Sequence, residues 1–274
     1  MTTRDSSTDR TPVALVTGAG RGIGAATAAR LAARGLHVAL VDLPHDLSAE
    51  AEHRGPWRHS LGLELDEATA RCAGRGHAHV ADVRDPEALR RVVETVVDHH
   101  GAIDVVVSAA GSQAGGAPLW ETDDDTWRWM VESNLTGVFN LARATVPAML
   151  AAPAPRRGRF VAIASAAAHT GLPMLSAYTA AKTGVLGLVR SLAAELADTG
   201  VTANAVCPGS TRGHMLDASA SIYGLDDAES FADQARIGRL IDPDEIAATI
   251  EWLCLDAPGA MTGAVIDVDG GMQA

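Results

Sequence analysis

The sequence has few cysteines, and their spacing restricts the classes of site that it can form. Cys72, Cys207 and Cys254 are the only three, and no two of them form a C-x-x-C pair. This pattern indicates neither a disulfide framework nor a zinc ribbon. Isolated thiols are typical of a reducing compartment, so we predict a cytoplasmic protein.

Long apolar runs and an excess of basic residues are also missing. No uninterrupted apolar segment is long enough to span a bilayer, and residues 1–11 lack the apolar core of a signal peptide. The 22 Lys and Arg residues against 34 Asp and Glu residues give a net charge of −12, which repels polyphosphates and anionic lipids. We therefore expect neither nucleic acid nor a membrane as a partner, and we expect residues 1–11 to form a flexible tail.

The ten histidines include no H-E-x-x-H motif, and the sequence predicts no metal site. His169 lies close to Ser165 in the chain, and His214 lies in a long predicted loop. A role in a substrate pocket stays open for these two histidines.

Short β-rich runs alternate with longer helical segments that are rich in Ala and Leu. Apolar runs such as VALVT and FVAIA are typical of strands covered on both faces, and the alternation implies right-handed crossovers between parallel strands. No internal repeat or linker interrupts this pattern. The prediction is an α/β fold with a doubly wound parallel sheet, in a single domain over residues 12–274. Strands are expected at 13–17, 37–41, 77–81, 103–108, 159–164, 201–206 and 265–268.

Two connecting segments are longer than the alternation of strands and helices requires. Residues 44–62, PHDLSAEAEHRGPWRHSLG, contain two prolines and several glycine and serine breakers, which predicts an insertion or flap after the second strand. Residues 209–241 mix apolar side chains such as Met215, Tyr223 and Phe231 with acidic and small residues. We interpret this second segment as a mobile substrate lid.

A glycine-rich loop, TGAGRGIG at 17–24, follows the first strand and opens a helix. Gly18, Gly22 and Gly24 let the backbone turn sharply and approach a pyrophosphate, whose charge then lies at the positive helix N-terminus. Arg21 and Ile23 fall within the same loop. An ordinary tight turn is the alternative, but the strand and helix on either side favour a dinucleotide site.

Asp42 ends the second strand about twenty residues beyond this loop. A carboxylate there accepts hydrogen bonds from an adenosine ribose and repels a 2′-phosphate, so NAD is predicted over NADP. Two alternatives stay open: Arg21 counters the repulsion, or Asp42 merely caps a turn. After the third strand, Asp82 and Val83 are placed to meet the adenine, although an Asp there also signals a helix start before Pro86.

Tyr178 and Lys182 lie four residues apart at the start of a predicted helix, and therefore on one helical face. A free tyrosine titrates near ~10. At an effective dielectric of ~20, a positive charge ~4 Å away is worth about 4 kcal/mol, or roughly three pKa units. The pair therefore predicts a Tyr178 pKa near neutrality, which suits a general acid/base.

Ser165 and Asn134 are the further catalytic candidates. Ser165 follows a strand at the carboxyl edge of the sheet, where open α/β sheets bind ligands, and its hydroxyl is placed to donate to a substrate oxygen. Asn134 is a polar residue in an apolar helical segment, where its amide would relay protons through water to Lys182. Each residue alone also has a plain structural explanation, in turn chemistry or in satisfying the backbone.

Taken together, TGAGRGIG, Asn134, Ser165 and the Y-T-A-A-K motif resemble the short-chain dehydrogenase/reductase family over essentially the whole chain. The resemblance implies a seven-stranded Rossmann-type sheet, a homotetramer and an alcohol or ketone substrate. It also implies that Tyr178 is the acid/base, that Lys182 lowers the Tyr178 pKa and binds the nicotinamide ribose, that Ser165 orients the substrate and that Asn134 supports a proton relay.

Two positions depart from the family pattern. The usual N-N-A-G after the fourth strand is Ser108-Ala109-Ala110-Gly111 here, so the asparagine contacts are replaced or absent, while Ala110 and Gly111 are still expected to contact the cofactor. After the sixth strand, where Pro208 and Gly209 are also expected cofactor contacts, Gly213 stands where the family often has a threonine that touches the carboxamide. Thr211 is the expected substitute.

The insertion after Asp42, the PGSTR segment and the run MLDASASIYGLDDAESF also resemble the mycofactocin-coupled subgroup of this family. In that subgroup the insertion is thought to cover the adenosine and retain NAD, which the redox cofactor mycofactocin reoxidises in place. A lineage-specific loop without kinetic effect is the alternative. The sequence thus favours an NAD-dependent alcohol or carbonyl oxidoreductase over an NADPH-dependent ketoreductase or a non-catalytic NAD-binding sensor.

Overall fold

The computed structural model describes residues 10–43 and 62–273. Residues 1–9 of the predicted tail and residues 44–61 of the predicted insertion lie outside the described residues. At the start of the described chain, the Arg10 guanidinium donates to both oxygens of Asp104, at 2.7 and 2.9 Å. This ion pair attaches the chain beside the first strand, because Asp104 also accepts a hydrogen bond from the Val13 amide.

Seven parallel strands form one sheet in the order β3-β2-β1-β4-β5-β6-β7. This confirms the predicted fold class, and each strand lies within about two residues of its expected bounds. The order reverses at β1, which pairs with both β2 and β4 and so creates a crevice at the carboxyl edge of the sheet. The strands are β1 (Val13–Thr17), β2 (His37–Asp42), β3 (Gly76–Val80), β4 (Val105–Ser108), β5 (Arg159–Ile163), β6 (Thr202–Pro208) and β7 (Val265–Val268).

Helices connect the strands and cover both faces of the sheet. They are α1 (Gly22–Ala33), α2 (Gly62–Arg71), α3 (Pro86–His100), α4 (Asp124–Val131), α5 (Gly137–Ala151), α6 (Ser176–Glu195), α7 (His214–Tyr223) and α8 (Pro243–Leu255). Asp85 caps α3 by accepting hydrogen bonds from the Glu87 and Ala88 amides, and Pro86 follows as the first helical residue. The suggestion that Asp82 marks this helix start is therefore wrong.

Alternate residues of each strand point to opposite faces, which produces two separate cores. Leu15 of β1 and Phe160 of β5 are fully buried in a cluster that includes residues of α3, α5 and α6. Val16 and Leu40 enter the other cluster, with residues of α1, α2 and α8. Burial on both faces explains why these strands are almost continuously apolar.

The long helix expected around Asn134 is divided. A π-helical turn, Glu132–Thr136, separates α4 from α5 and contains Asn134. Such a turn inserts an extra residue into the helical repeat and is frequent at functional sites. Asn134 is buried within this turn.

The predicted lid, residues 209–241, contains α7 and a 3₁₀ segment, Ala228–Gln234. A β-bridge between Thr211 and Ile241 joins the two ends of the lid. Tyr223 and Phe231 meet edge to face, with ring centroids 6.1 Å apart, and Phe231 is buried. The lid therefore has a small apolar core of its own.

None of the helices described combines the length and the apolar character that crossing a membrane requires.

Candidate active site

The glycine-rich loop packs directly on the segment after β4. Gly18 has φ +64°, and a Cβ on it would lie 2.7 Å from the Ala110 backbone. A Cβ on Gly24 would lie 2.1 Å from the Gly18 carbonyl oxygen. Gly22 has φ +55°, but a Cβ there would meet no described atom within 4 Å. Two of the glycines thus allow tight packing, and Gly22 leaves space beside the start of α1.

The N-terminus of α1 receives no capping hydrogen bond from the side chain of its cap residue, Arg21. The first-turn amides of α1 therefore depend on partners other than that side chain. An open glycine beside such a helix start suits a pyrophosphate, since the amides and the helix dipole both favour negative charge there.

Asp42 lies against this loop. Its Oδ2 accepts from the Gly20 amide at 2.7 Å and its Oδ1 accepts from the Leu43 amide at 2.8 Å. Burial raises the pKa of Asp42, while these two hydrogen bonds and the positive charge of Arg21 oppose the increase. The Arg21 guanidinium also lies 3.9 Å from the Glu64 carboxylate. The predicted ribose-binding carboxylate is therefore held at the glycine loop by backbone amides.

Asp82 and Val83 follow β3 as expected, but their contacts differ. The Asp82 carboxylate accepts from the Arg84 guanidinium, with Nε 2.9 Å from Oδ2, and Arg84 stacks over the Trp129 ring at 4.2 Å. The Val83 side chain lies under the start of α5, where a Cβ on Gly137 would approach it to 2.7 Å. This end of β3 is thus fixed in place by α4 and α5.

Asn134 connects the π-helical turn to the loop after β4. Its Nδ2 donates to the carbonyls of Ser112 and Met130 at 2.9 and 3.0 Å, and its Oδ1 accepts from the Ser112 amide at 3.2 Å. A Cβ on Gly111 would lie 2.8 Å from Asn134 Oδ1 and 3.4 Å from Lys182 Nζ. Asn134 therefore satisfies backbone groups, and its side chain and the Lys182 ammonium both pack against Gly111, where a Cβ would be too close to Asn134.

Lys182 is buried on α6 and donates from Nζ to the Ile163 carbonyl at 2.9 Å. Burial lowers its pKa to about 8. The Nζ atom lies 5.8 Å from the centroid of the Tyr178 ring. The two side chains share a site, as their four-residue spacing predicts, but the ammonium is directed to Ile163.

The predicted lowering of the Tyr178 pKa is wrong for this structure. Burial raises the pKa of Tyr178, and a hydrogen bond with the Ser165 hydroxyl only opposes the increase. The physical reason is that burial disfavours the charged phenolate by more than the hydrogen bond with Ser165 favours it.

Ser165 lies two residues beyond β5 and begins a 3₁₀ turn, Ala166–Ala168, by accepting a hydrogen bond from the Ala167 amide at 3.1 Å. The Ser165 hydroxyl therefore both caps this turn and forms a hydrogen bond with Tyr178. Across the site, the Tyr178 hydroxyl lies 3.9 Å from the sulfur of Met215, which belongs to the first turn of α7. The lid thus covers the phenol.

Sequence reasoning missed two polar residues that attach the lid. The Ser219 hydroxyl on α7 donates to Gln113 Oε1 at 3.0 Å, and both residues are buried. A serine in a helix and a glutamine in a loop carry no sequence signal, because only the packing of the lid brings them together. Met215 appeared among the apolar lid residues, but its approach to Tyr178 was not predicted.

The remaining predicted contacts have identifiable local partners. A Cβ on Gly209 would lie 2.7 Å from the Asp269 backbone, so the Pro208–Gly209 segment packs tightly against the turn after β7. The Thr211 hydroxyl donates to the Gly209 carbonyl at 3.0 Å. His169 pairs with Asp267, Nε2 to Oδ1 at 3.0 Å, and His214 is exposed at the start of α7.

Comparison with known proteins agrees with this geometry over nearly the whole chain. A family model described as Enoyl-(acyl carrier protein) reductase matches residues 18–273. The chain is 36% identical over 272 residues to a putative ketoacyl reductase of the granaticin polyketide synthase of Streptomyces violaceoruber, with 95% of this chain and 93% of that protein covered. The chain belongs to the short-chain dehydrogenase/reductase family. It is therefore an oxidoreductase of that family.

Two solved structures of the family have similar folds and contain different cofactors. Carveol dehydrogenase from Mycobacterium avium, in complex with NAD, has a TM-score of 0.88 and 28% identity, with 97% of this chain and 98% of that chain covered. Actinorhodin polyketide ketoreductase with NADPH has a TM-score of 0.83 and 32% identity, with 96% and 97% covered. Both nicotinamide cofactors thus occur among structures similar to this chain.

Proposed function

We propose that the protein transfers a hydride between an alcohol or carbonyl substrate and NAD, with Tyr178 as general acid/base. The observation that supports this most strongly is the convergence of Ser165, Tyr178 and Lys182 at the carboxyl edge of the sheet, with Asn134 adjacent to Lys182 across Gly111. The Tyr178 hydroxyl also lies beneath the lid residue Met215.

The residues present fit a nicotinamide dinucleotide. Gly22 has an open side at the N-terminus of α1, and the lack of a side chain on Gly111 lets its backbone lie close to Asn134 and the Lys182 ammonium. When bound, the cofactor supplies the carbon that accepts or donates the hydride. The residues that would hold it are Gly18, Arg21, Gly22, Ile23, Gly24, Asp42, Asp82, Val83, Ala110, Gly111, Tyr178, Lys182, Pro208, Gly209 and Thr211.

The proton is handled by the chain's own side chains. In the oxidative direction Tyr178 takes the hydroxyl proton of the substrate, while the Ser165 hydroxyl orients the substrate oxygen. Burial favours the neutral phenol, and the hydrogen bond with the Ser165 hydroxyl favours its ionised form. Asn134 supports a proton relay through water toward Lys182.

We also propose that the protein prefers NAD to NADP, and this preference depends on Asp42. A carboxylate fixed by the Gly20 and Leu43 amides cannot move away cheaply from a 2′-phosphate. The NAD-bound carveol dehydrogenase supports this choice, whereas the NADPH-bound ketoreductase supports the second candidate, an NADPH-dependent ketoreductase.

Asp42→Ser separates these two candidates. We expect wild-type protein to have the higher kcat/KM with NAD, and we expect the NADP to NAD ratio of kcat/KM to rise by at least about tenfold in the variant, because one negative charge is removed. Asp85→Ser is the matched control, since Asp85 is an exposed cap of α3, outside the site, and Ser also caps helices. Wild-type preference for NADPH, or an unchanged ratio in Asp42→Ser, would contradict the assignment.

We further propose that NAD stays bound between turnovers and that mycofactocin reoxidises it there. The resemblance of residues 44–62 and of the PGSTR segment to the mycofactocin-coupled subgroup supports this. The expected result is that protein purified without added cofactor still contains NAD after desalting, measured by mass spectrometry of the denatured supernatant. Rapid exchange with free NAD would argue against coupling while leaving the hydride-transfer proposal intact.

A cytoplasmic homotetramer is the final part of the proposal. The three cysteines are buried and unpaired, which is compatible with a reducing compartment. Trp127 on α4 and Phe139 on α5 are 46% and 48% exposed, and large exposed apolar side chains of this kind favour contacts between subunits.

A further inference from the structure

Three potential metal ligands meet at the edge of the sheet, outside the proposed acid/base residues. Cys207 of β6 and Asp267 of β7 are direct partners in the parallel register of these strands. His169, just beyond the 3₁₀ turn that Ser165 begins, places Nε2 3.0 Å from Asp267 Oδ1. The imidazole nitrogen, the thiol sulfur and the carboxylate oxygen all lie within 4.8 Å of one another.

This donor set suits a borderline-soft divalent ion. Thiolate, imidazole and carboxylate are the ligands that zinc takes in proteins, in tetrahedral sites with ligand atoms about 2.0–2.3 Å from the metal. Nitrogen and oxygen atoms at such distances are about 3.3 Å apart. The 3.0 Å between His169 and Asp267 is close to that separation, and the widest pair needs to approach by about 1 Å.

Exposure at the cluster leaves room for a further ligand. Cys207 is fully buried, whereas the side chains of His169 and Asp267 are 30% and 43% exposed. An ion held by the three side chains would therefore be reached from solvent on the His169 and Asp267 side, where a water molecule can complete a tetrahedral shell.

The simpler explanation is a surface ion pair between His169 and Asp267. In that explanation the buried Cys207 thiol is hydrogen-bonded to Asp267 and also accepts a hydrogen bond from the Ser165 backbone amide, so the sulfur is already in contact with the pair. Over residues 10–43 and 62–273, this is the single group of three or more potential ligands close enough to hold one ion. Cys72 and Cys254 belong to no such group within the described part of the chain.

We infer that His169, Cys207 and Asp267 form a binding site for one divalent ion of the zinc type, with water as the fourth ligand. Coordination replaces the Cys207 S–H bond by a sulfur–metal bond and releases one proton to solvent. The site differs from the sequence-based expectation of no metal, because the sequence separates its three ligands widely and only β6–β7 pairing unites them. It does not depend on the hydride-transfer proposal.

Cobalt(II) provides the probe, because thiolate ligation to Co²⁺ gives a ligand-to-metal charge-transfer band that imidazoles alone do not give. Full-length protein without a histidine tag, treated with chelator and dialysed, is titrated with Co²⁺ and then with Zn²⁺. We expect one equivalent of Co²⁺ to produce the charge-transfer band and Zn²⁺ to abolish it. The band should be absent in Cys207→Ser and retained in Cys72→Ser, a matched control at another buried free thiol.

His169→Gln and Asp267→Asn change partly exposed side chains, and circular dichroism checks that every variant is folded. We expect both to weaken Co²⁺ binding by more than about tenfold. No charge-transfer band in wild-type protein, a band that persists in folded Cys207→Ser, or unchanged affinity in both His169→Gln and Asp267→Asn would overturn the site. If Cys207→Ser does not fold, the last two variants decide the outcome.

Discussion

Tyr178→Phe is expected to lower kcat by at least about 10³-fold, because the variant lacks the phenolic hydroxyl that exchanges the substrate's proton in the proposed reaction. The ring packs in a small apolar cluster with Leu175 and Met130, and Phe preserves this packing. Cofactor affinity and thermal stability should therefore stay close to those of the wild type. Steady-state turnover, cofactor titration and a melting curve on the same preparation measure the three quantities.

The matched control is Tyr223→Phe. These are the only two tyrosines of the sequence, and the Tyr223 hydroxyl lies in the lid, where it donates to the Pro173 carbonyl at 2.8 Å. We expect Tyr223→Phe to change kcat by less than about tenfold, since it removes one ordinary hydrogen bond. Turnover of Tyr178→Phe within tenfold of wild type would refute the role of Tyr178.

Lys182→Met is expected to lower kcat/KM by at least about 10²-fold, because it removes the positive charge that favours the ionised phenol. Lys182 is the only lysine of the sequence, so no other ammonium side chain can take its place. Met retains the apolar stem and fills a similar volume in the buried site. Kinetics with saturating cofactor separate this loss from weaker cofactor binding.

The same variant should change how stability depends on pH. In the folded protein burial lowers the Lys182 pKa from 10.5 to about 8. Between these values the unfolded chain binds this proton and the folded protein does not, so the free energy of unfolding rises with pH across that window. The rise for wild type relative to Lys182→Met should total about 3 kcal/mol and be absent below pH 8, where both states are protonated.

Urea unfolding of cofactor-free protein at several pH values from 7 to 10.5 measures this difference. Other titrating groups occur in both proteins, so subtraction of the two curves removes their contribution. The hydrogen bond from Lys182 to Ile163 is lost at every pH and shifts the variant's curve without changing its slope appreciably. Parallel curves for the two proteins would contradict a lowered Lys182 pKa.

Much of the fold could be predicted because strands that are buried on both faces have almost continuously apolar sequences. Strands β1 and β7 have the expected bounds, and the glycine loop lies where its spacing places it. The loop can be predicted from the sequence because Gly18 and Gly24 each face backbone atoms at distances that exclude a Cβ, so only glycine fits at these positions. The juxtaposition of Tyr178 and Lys182 followed equally directly, since four residues make one turn of a helix.

Other features depend on forces that no local pattern reports. The π-helical turn at Asn134 is a single inserted residue within an otherwise helical sequence. The pKa shift of Tyr178 has the opposite direction to the prediction, because burial penalises the charged phenolate and no pattern in the sequence reports that cost. The sequence also offers Asp82 as a helix start, but Asp85 accepts the hydrogen bonds from the Glu87 and Ala88 amides at the start of α3.

By itself the sequence determined the alternation of strands and helices, the glycine loop, the carboxylate at the end of β2 and the Tyr178–Lys182 spacing. Each of these depends on residues that are close together in the chain. Tertiary structure alone decided that Met215 covers the phenol, that Lys182 donates to Ile163, and that Cys207 meets Asp267. These contacts join segments far apart in the chain. Their distances are determined by strand register and by competition for burial, which act only once the sheet has formed.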